Sequence, residues 1–134
     1  MMRTTFWLLT LLLLTACGSK SSDVELTAEE MAAEAAMNNY KALYRGYYEA
    51  FLDSRLHADE MPESYREAML TNLKQHVRQV ESCHHGVKDI EISHTQMDTT
   101  LHMMQVFLLV SYGDTTKEEI VVPMVEIDGE WKLK

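Results

Sequence analysis

The side chains with chemical capacity fall into three groups along this 134-residue chain. Tyr40, Tyr44, Tyr47 and Phe51 recur at intervals of three and four, which sets them on one face of a helix. A phenol beside a carboxylate is one half of an acid–base pair, and Asp89, Glu91 and Glu126 are the carboxylates carried on strand-like segments. Asp89 and Glu91 alternate with Ile90 and Ile92 and so oppose their apolar face, whereas Glu126 shares a face with Trp131. Tyr40, Tyr44, Tyr47, Phe51, Glu126 and Trp131 are therefore the candidate cavity-lining residues. The second group is the six histidines with Cys83. Cys83, His84 and His85 are consecutive, so their side chains diverge too widely for a tetrahedral metal site. His94 and His102 flank a turn, and a one-residue change of register flips their relative faces. No metal, no cofactor and no catalytic residue is assigned. The chain has no glycine-rich phosphate loop, no Ser-His-Asp spacing and no Cys-x-x-Cys, and its methionines beyond the first two fall mostly at core spacing.

The third group is Cys17 with its neighbours. Arg3 begins a positive segment, and Phe6–Leu9 with Leu11–Leu14 form an apolar run of signal-peptide length, too short to span a bilayer stably. Leu14-Thr15-Ala16-Cys17 then matches the lipobox pattern, in which small residues fit the peptidase and the thiol takes the diacylglycerol. The expectation is cleavage between Ala16 and Cys17 and lipidation (thioether diacylglycerol and palmitate) of Cys17. Residues 1–16 are read as the signal peptide, 17–26 as the lipidated cysteine with a flexible tether, and 27–134 as the folded domain. Gly18 lacks the aspartate that retains many lipoproteins at the inner membrane, which favours the outer membrane of the cell envelope. The Gly-Ser-Lys-Ser-Ser tether reaches about 15–20 Å as a coil. With Cys17 anchored, Cys83 has no partner within the chain and is expected to be buried as a small hydrophobe.

Net charge is −9, and loss of residues 1–16 removes only the positive Arg3. So acidic a domain lacks the footprint for nucleic acid and is repelled by an anionic bilayer, leaving the anchor as the expected membrane contact.

The elements that must position these groups are legible from periodicity. Thr27-Ala28-Glu29-Glu30 is a capping box, which predicts a helix over 28–54. Gly46 weakens that helix slightly. Pro62 suits the first turn of a second helix over 62–82, with Tyr65, Met69, Leu73, Val77 and Val80 as its buried stripe and His84-His85-Gly86 as its end. Period two follows. Strands are expected at 87–96, 101–112, 118–127 and 130–134, the second nearly all apolar, as for a central strand covered on both faces. Asp128-Gly129 accepts the positive φ angles of a two-residue hairpin. Pairing Ile127 with Glu130 sets Glu126 opposite Trp131 and Met124 opposite Leu133. Ile120, Val122, Met124, Trp131 and Leu133 then form the core face, while Val121, Pro123, Val125 and Ile127 point outward.

Two helices followed by a four-stranded antiparallel meander, carrying Tyr112-Gly113-Asp114, Lys117-Glu118-Glu119 and Val125–Leu133, resemble the nuclear-transport-factor-2-like superfamily, the cone fold shared with SnoaL-like proteins. Among its branches the chain is most similar to small bacterial lipoproteins with a lumazine-binding-like domain, whose terminal Asp-Gly-x-Trp-Lys signature matches Asp128, Gly129, Trp131 and Lys132. The resemblance spans residues 27–134. It implies an α+β fold with two N-terminal helices packed in the concave face of a curved four-stranded antiparallel sheet, and an open cone end that can hold a ligand. It also implies that any enzyme chemistry would pair a helix tyrosine, as oxyanion donor, with a carboxylate inside the cone. Fold alone assigns none of these activities. The expectation is a non-enzymatic binding or interaction domain whose outer sheet face docks a second copy or an envelope protein. The alternative is a small-molecule binder using the tyrosine-lined cone.

Overall fold

The computed structural model describes residues 25–134; the signal segment, Cys17 and the tether through residue 24 lie outside the described residues. No described helix is long and apolar enough to cross a membrane. Thr27 caps the first helix, α1 (Ala28–Tyr44), as the sequence predicts: its hydroxyl accepts the Glu30 amide at 3.2 Å, and the Glu30 carboxylate accepts the Thr27 amide at 2.9 Å. The helix does not run to residue 54. Gly46 adopts φ +93°, and the Gly46 and Tyr47 amides donate back to the carbonyls of Leu43 and Ala42. That is a Schellman ending, and it satisfies the carbonyls a helix leaves free. Gly46 therefore terminates the helix where a mere weakening was expected, and a short α2 (Tyr48–Asp53) restarts in a new direction.

Helix α3 (Glu63–His84) follows Pro62 and one turn of 3-10 helix. Only its C-terminal half meets the core. Val77 and Val80 are buried and Leu73 packs beside them, whereas Tyr65, predicted in the buried stripe, is exposed. Cys83, one residue off that stripe, is also exposed, contrary to expectation.

The sheet is a meander in the order β1 (Val87–Asp98), β2 (Met103–Tyr112), β3 (Lys117–Ile127), β4 (Glu130–Leu133). The Asp128-Gly129 hairpin has the derived register, with Ile127 on Glu130, Glu126 on Trp131 and Met124 on Leu133. Both turn residues take positive φ. The strand β2 starts at Met103, not at residue 101, because the Asp98 carboxylate accepts the amides of Thr100 and Leu101 and folds them into the turn. One face of β2 is sealed: Met104, Val106, Leu108 and Val110 are buried against Ala32, Ala33, Ala36 and Leu43 of α1. Alanines let the helix backbone approach the sheet closely. Phe107 and Leu109, on the other face, are only half-buried, so β2 is covered on one side, not on both. The edge of β4 is covered by chain: Leu133 donates to the Ser54 carbonyl and accepts the Leu56 amide. Every buried core residue lies between Ala32 and Leu133.

Candidate functional site

Three surfaces compete for function: the cone interior, the polar end of the cone, and the outer sheet face. The interior is occupied by the protein itself. Tyr40 packs edge-on to Phe51, ring centroids 5.2 Å apart, and both belong to the core. Trp131 packs against the same core, with its indole nitrogen buried and unpartnered. Of the candidate residues, Tyr44 borders a cleft with Lys41 and Lys88, and Tyr47 borders one with Leu70 and Lys74. Tyr47 stands in the break between α1 and α2 with 63% of its surface exposed, since the Schellman ending rotates it off the face of Tyr40 and Tyr44. Glu126 is exposed beside the hairpin turn. The six candidate residues thus divide into core packing by Tyr40, Phe51 and Trp131, two tyrosines at cleft edges, and a solvated carboxylate.

The polar end of the cone joins Tyr44 and His84 to partners that no spacing in the sequence paired with them. Tyr44 Oη lies 3.0 Å from His76 Nε2 of α3, and the Tyr112 hydroxyl donates to Glu118 at 2.6 Å. His84 stacks on the Tyr112 ring at 4.6 Å, and its Nδ1–H donates to Asp114 at 2.9 Å. The turn after β2 completes the clasp: the Gly113 and Asp114 amides donate to the carbonyls of Gly86 and His84, at the end of α3. Glu118 was legible in principle, because it alternates in step with Ile120 and Val122 on the core face of β3. His76 was not, since nothing in its spacing marks it.

The electrostatics of this end disfavour proton transfer. Burial, then the neighbouring Tyr40 and the Glu118 charge, push the Tyr44 phenol up to about 12. Burial and the hydrogen bond to Glu118 raise Tyr112 further. Burial also raises Tyr40, partly offset by Arg55. Such phenols keep their protons and are fixed donors, poorly matched to acid–base work near neutrality. A pairing of a helix tyrosine with Glu126, the requirement for enzyme chemistry in this cone, is not formed by Tyr44. Tyr44 senses Glu118, and Glu126 is eight residues further along β3, about 27 Å at ~3.4 Å per residue. Among the described residues no three of His, Cys, Asp and Glu converge as a metal cluster.

Asp114 shows what the clasp does for stability. Hydrogen bonds from the Thr116 hydroxyl, from His84 and from the Thr116 amide hold its carboxyl at about 2, down from 3.8. A depressed carboxyl contributes stability that is present above pH 3.8 and lost as pH falls towards 2. Acid unfolding followed by circular dichroism should therefore flatten between those values in Asp114→Asn, which has no proton to take up there. An unchanged pH profile would remove Asp114 from the clasp.

The outer face of the sheet is apolar at its centre. Phe107 and Val121 pair across β2 and β3, and His94 stacks on Phe107 with centroids 3.9 Å apart. Pro123, Val125 and Ile127 continue the stripe, with Val121 50% and Ile127 45% exposed. Glu91 and Glu119 flank Leu109 at one end; Lys132 lies beside Val125 at the other.

A solved structure from Campylobacter jejuni, described as an NTF2-like transpeptidase, matches this arrangement with a TM-score of 0.61 over 75% of this chain and 94% of its own, at 16% identity. The chain has the nuclear-transport-factor-2-like fold. At that identity the likeness is one of fold. No protein-family model and no curated protein matches the sequence. In the vocabulary of this fold, α1 and α2 fill the cone, α3 covers its polar end, and no other element among the described residues covers the convex sheet face.

Proposed function

We propose that this chain is a lipoprotein of the cell envelope, anchored through Cys17 at the outer membrane, whose NTF2-like domain is a non-enzymatic interaction module that docks a second copy through the convex sheet face. One observation carries the reading: the interior is packed with the protein's own side chains, while the outer face carries a continuous apolar stripe. Stripes larger than a few hundred Å² are uncommon on monomers. Charge favours a second copy as the occupant. Two faces related by a two-fold axis lying across the strands bring Glu119 of each copy towards Lys132 of the other. Lys132 need only exchange its exposed pair with Glu130, which is worth little in water. The face measures on the order of 500 Å², from ~3.4 Å per residue and ~4.8 Å between strands, below the ~800 Å² per partner of a stable complex. Association is therefore weak in solution and promoted when both copies share a bilayer.

The transpeptidase name of the structural neighbour supports no acyl-transfer reading here. Such chemistry needs a nucleophile within hydrogen-bond reach of a base. Cys83 and His84 are consecutive on α3, about 100° apart around its axis, so the imidazole does not face the thiol, although Asp114 on Nδ1 leaves Nε2 free.

Two measurements test the proposal. Palmitate labelling of cells should mark the protein and fail in Cys17→Ser; labelling that persists sinks the anchor. Sedimentation of residues 18–134 should show concentration-dependent dimers at high micromolar protein, lost in Val121→Lys with Val125→Lys. A monomer throughout, indifferent to both substitutions, removes the homodimer.

A further inference from the structure

The cleft between the last turn of α1 and the first residues of β1 has a character unlike the rest of this acidic molecule. It encloses about 160 Å³ and is lined by Lys41, Tyr44, Arg45, Lys88 and Asp89 over a floor of Val87 and Ile90. The chain holds 12 Lys and Arg against 21 Asp and Glu, so three cations around one concavity run against its overall balance. Arg66 pairs with Asp53 and Lys132 with Glu130. Among the described residues none of Lys41, Arg45 and Lys88 stands in an ion pair. The one carboxylate of the lining, Asp89, has its Oδ1 engaged by the amide of Ile90 at 2.9 Å.

We infer that this cleft binds a phosphate group, through Lys41, Arg45 and Lys88. Lys41 and Arg45 are four residues apart and share one face of α1. Compensation of the helix dipole accounts for those two cations, but not for Lys88, which belongs to another element. Lys88 is the extra residue of a bulge, where the register slips between Val87 and Asp89, and bulges re-aim side chains. Three cations against the single carboxylate of Asp89 leave the concavity with a net positive charge, which an anion would offset. The volume suits a phosphate with one or two waters, each ~30 Å³, and is too small for an apolar ligand, whose pockets begin near ~300 Å³.

The phosphate could belong to a soluble monoester or to a lipid headgroup. Helix α1 is 17 residues long, about 25 Å, so the cleft sits at the opposite end of the helix from Leu26, next to which the tether enters. A site turned away from the tether favours the soluble source.

Inorganic phosphate titrated into residues 18–134 at low salt, followed by amide chemical shifts, should give saturable changes at Arg45 and Val87–Ile90. Lys41→Gln with Lys88→Gln should weaken binding about tenfold or more, while Lys74→Gln on α3 should leave it unchanged. Linear shifts, equal shifts with chloride at matched ionic strength, or indifference to the double substitution would overturn the site. Phosphatidylglycerol vesicles distinguish the sources: failure to bind them supports a soluble phosphate. Vesicle binding lost in the double variant overturns that source and assigns the phosphate to a headgroup.

Discussion

Gly113→Ala should lower the melting temperature by roughly 10–20 °C, corresponding to a loss of about 2–3 kcal/mol in a domain of this size. The cause is position. A Cβ on Gly113 would fall inside van der Waals contact with the carbonyl oxygen of His85 and press on the His85 Cβ. Both obstacles belong to the end of α3, where the turn after β2 donates the Gly113 and Asp114 amides to the carbonyls of Gly86 and His84. Backbone cannot rotate away as a long side chain would, so the turn must lift and those hydrogen bonds stretch. Gly86→Ala is the matched comparison. Gly86 has positive φ and open space around its missing Cβ, so it should lose only the ~1–2 kcal/mol of a left-handed alanine. Equal effects at both positions would show that conformation, not contact with α3, governs the turn.

Leu108→Ala should cost about 3–5 kcal/mol, measured by urea denaturation. Leu108 has no exposed surface and sits mid-strand on the core side of β2, opposite Ile120. A cavity there is walled by two strands and α1, none of which can collapse into it freely. Phe107, the next residue, lies on the outer face with His94 stacked over it, and Phe107→Ala should cost about 1 kcal/mol because much of that ring is already solvated. The pair separates the two faces of one strand. If the sheet face is the dimer contact, Phe107→Ala should weaken self-association while Leu108→Ala weakens folding. Comparable losses of folding free energy at both residues would mean that β2 is covered on both sides.

The elements legible in the sequence are those whose cause is local. The capping box at Thr27 and Glu30 is a four-residue hydrogen-bond pattern, and the Asp128-Gly129 turn is a two-residue conformational preference. Once that turn sets the register, alternation alone separates Val122 and Met124 from Val121 and Pro123, because the period of a strand is two. Gly46 lay at the limit of this reasoning. A glycine within a helical pattern either continues the helix at a cost or ends it, and the choice depends on whether Tyr47 and Gly46 find carbonyls to bond.

Packing decided the remainder. The apolar stripe of α3 was continuous in sequence, yet Tyr65 is exposed because only the C-terminal half of the helix reaches the sheet. The aromatic face of α1 was a sound periodicity with two outcomes: Tyr40 and Phe51 fill the cone, whereas Tyr47 swings outward with the change of direction into α2. Both the His84–Asp114 clasp and the cleft of Lys41, Arg45 and Lys88 join residues more than 25 positions apart. No period or spacing marks such groups, because what brings them together is the docking of α1 and α3 on the sheet. The sequence by itself determined the Thr27 cap, the Asp128-Gly129 turn and the facing of the hairpin strands, all settled within a few residues by hydrogen bonding and side-chain period. Only the tertiary structure decided which apolar faces are covered and which charges meet, since burial depends on what another element brings to the contact.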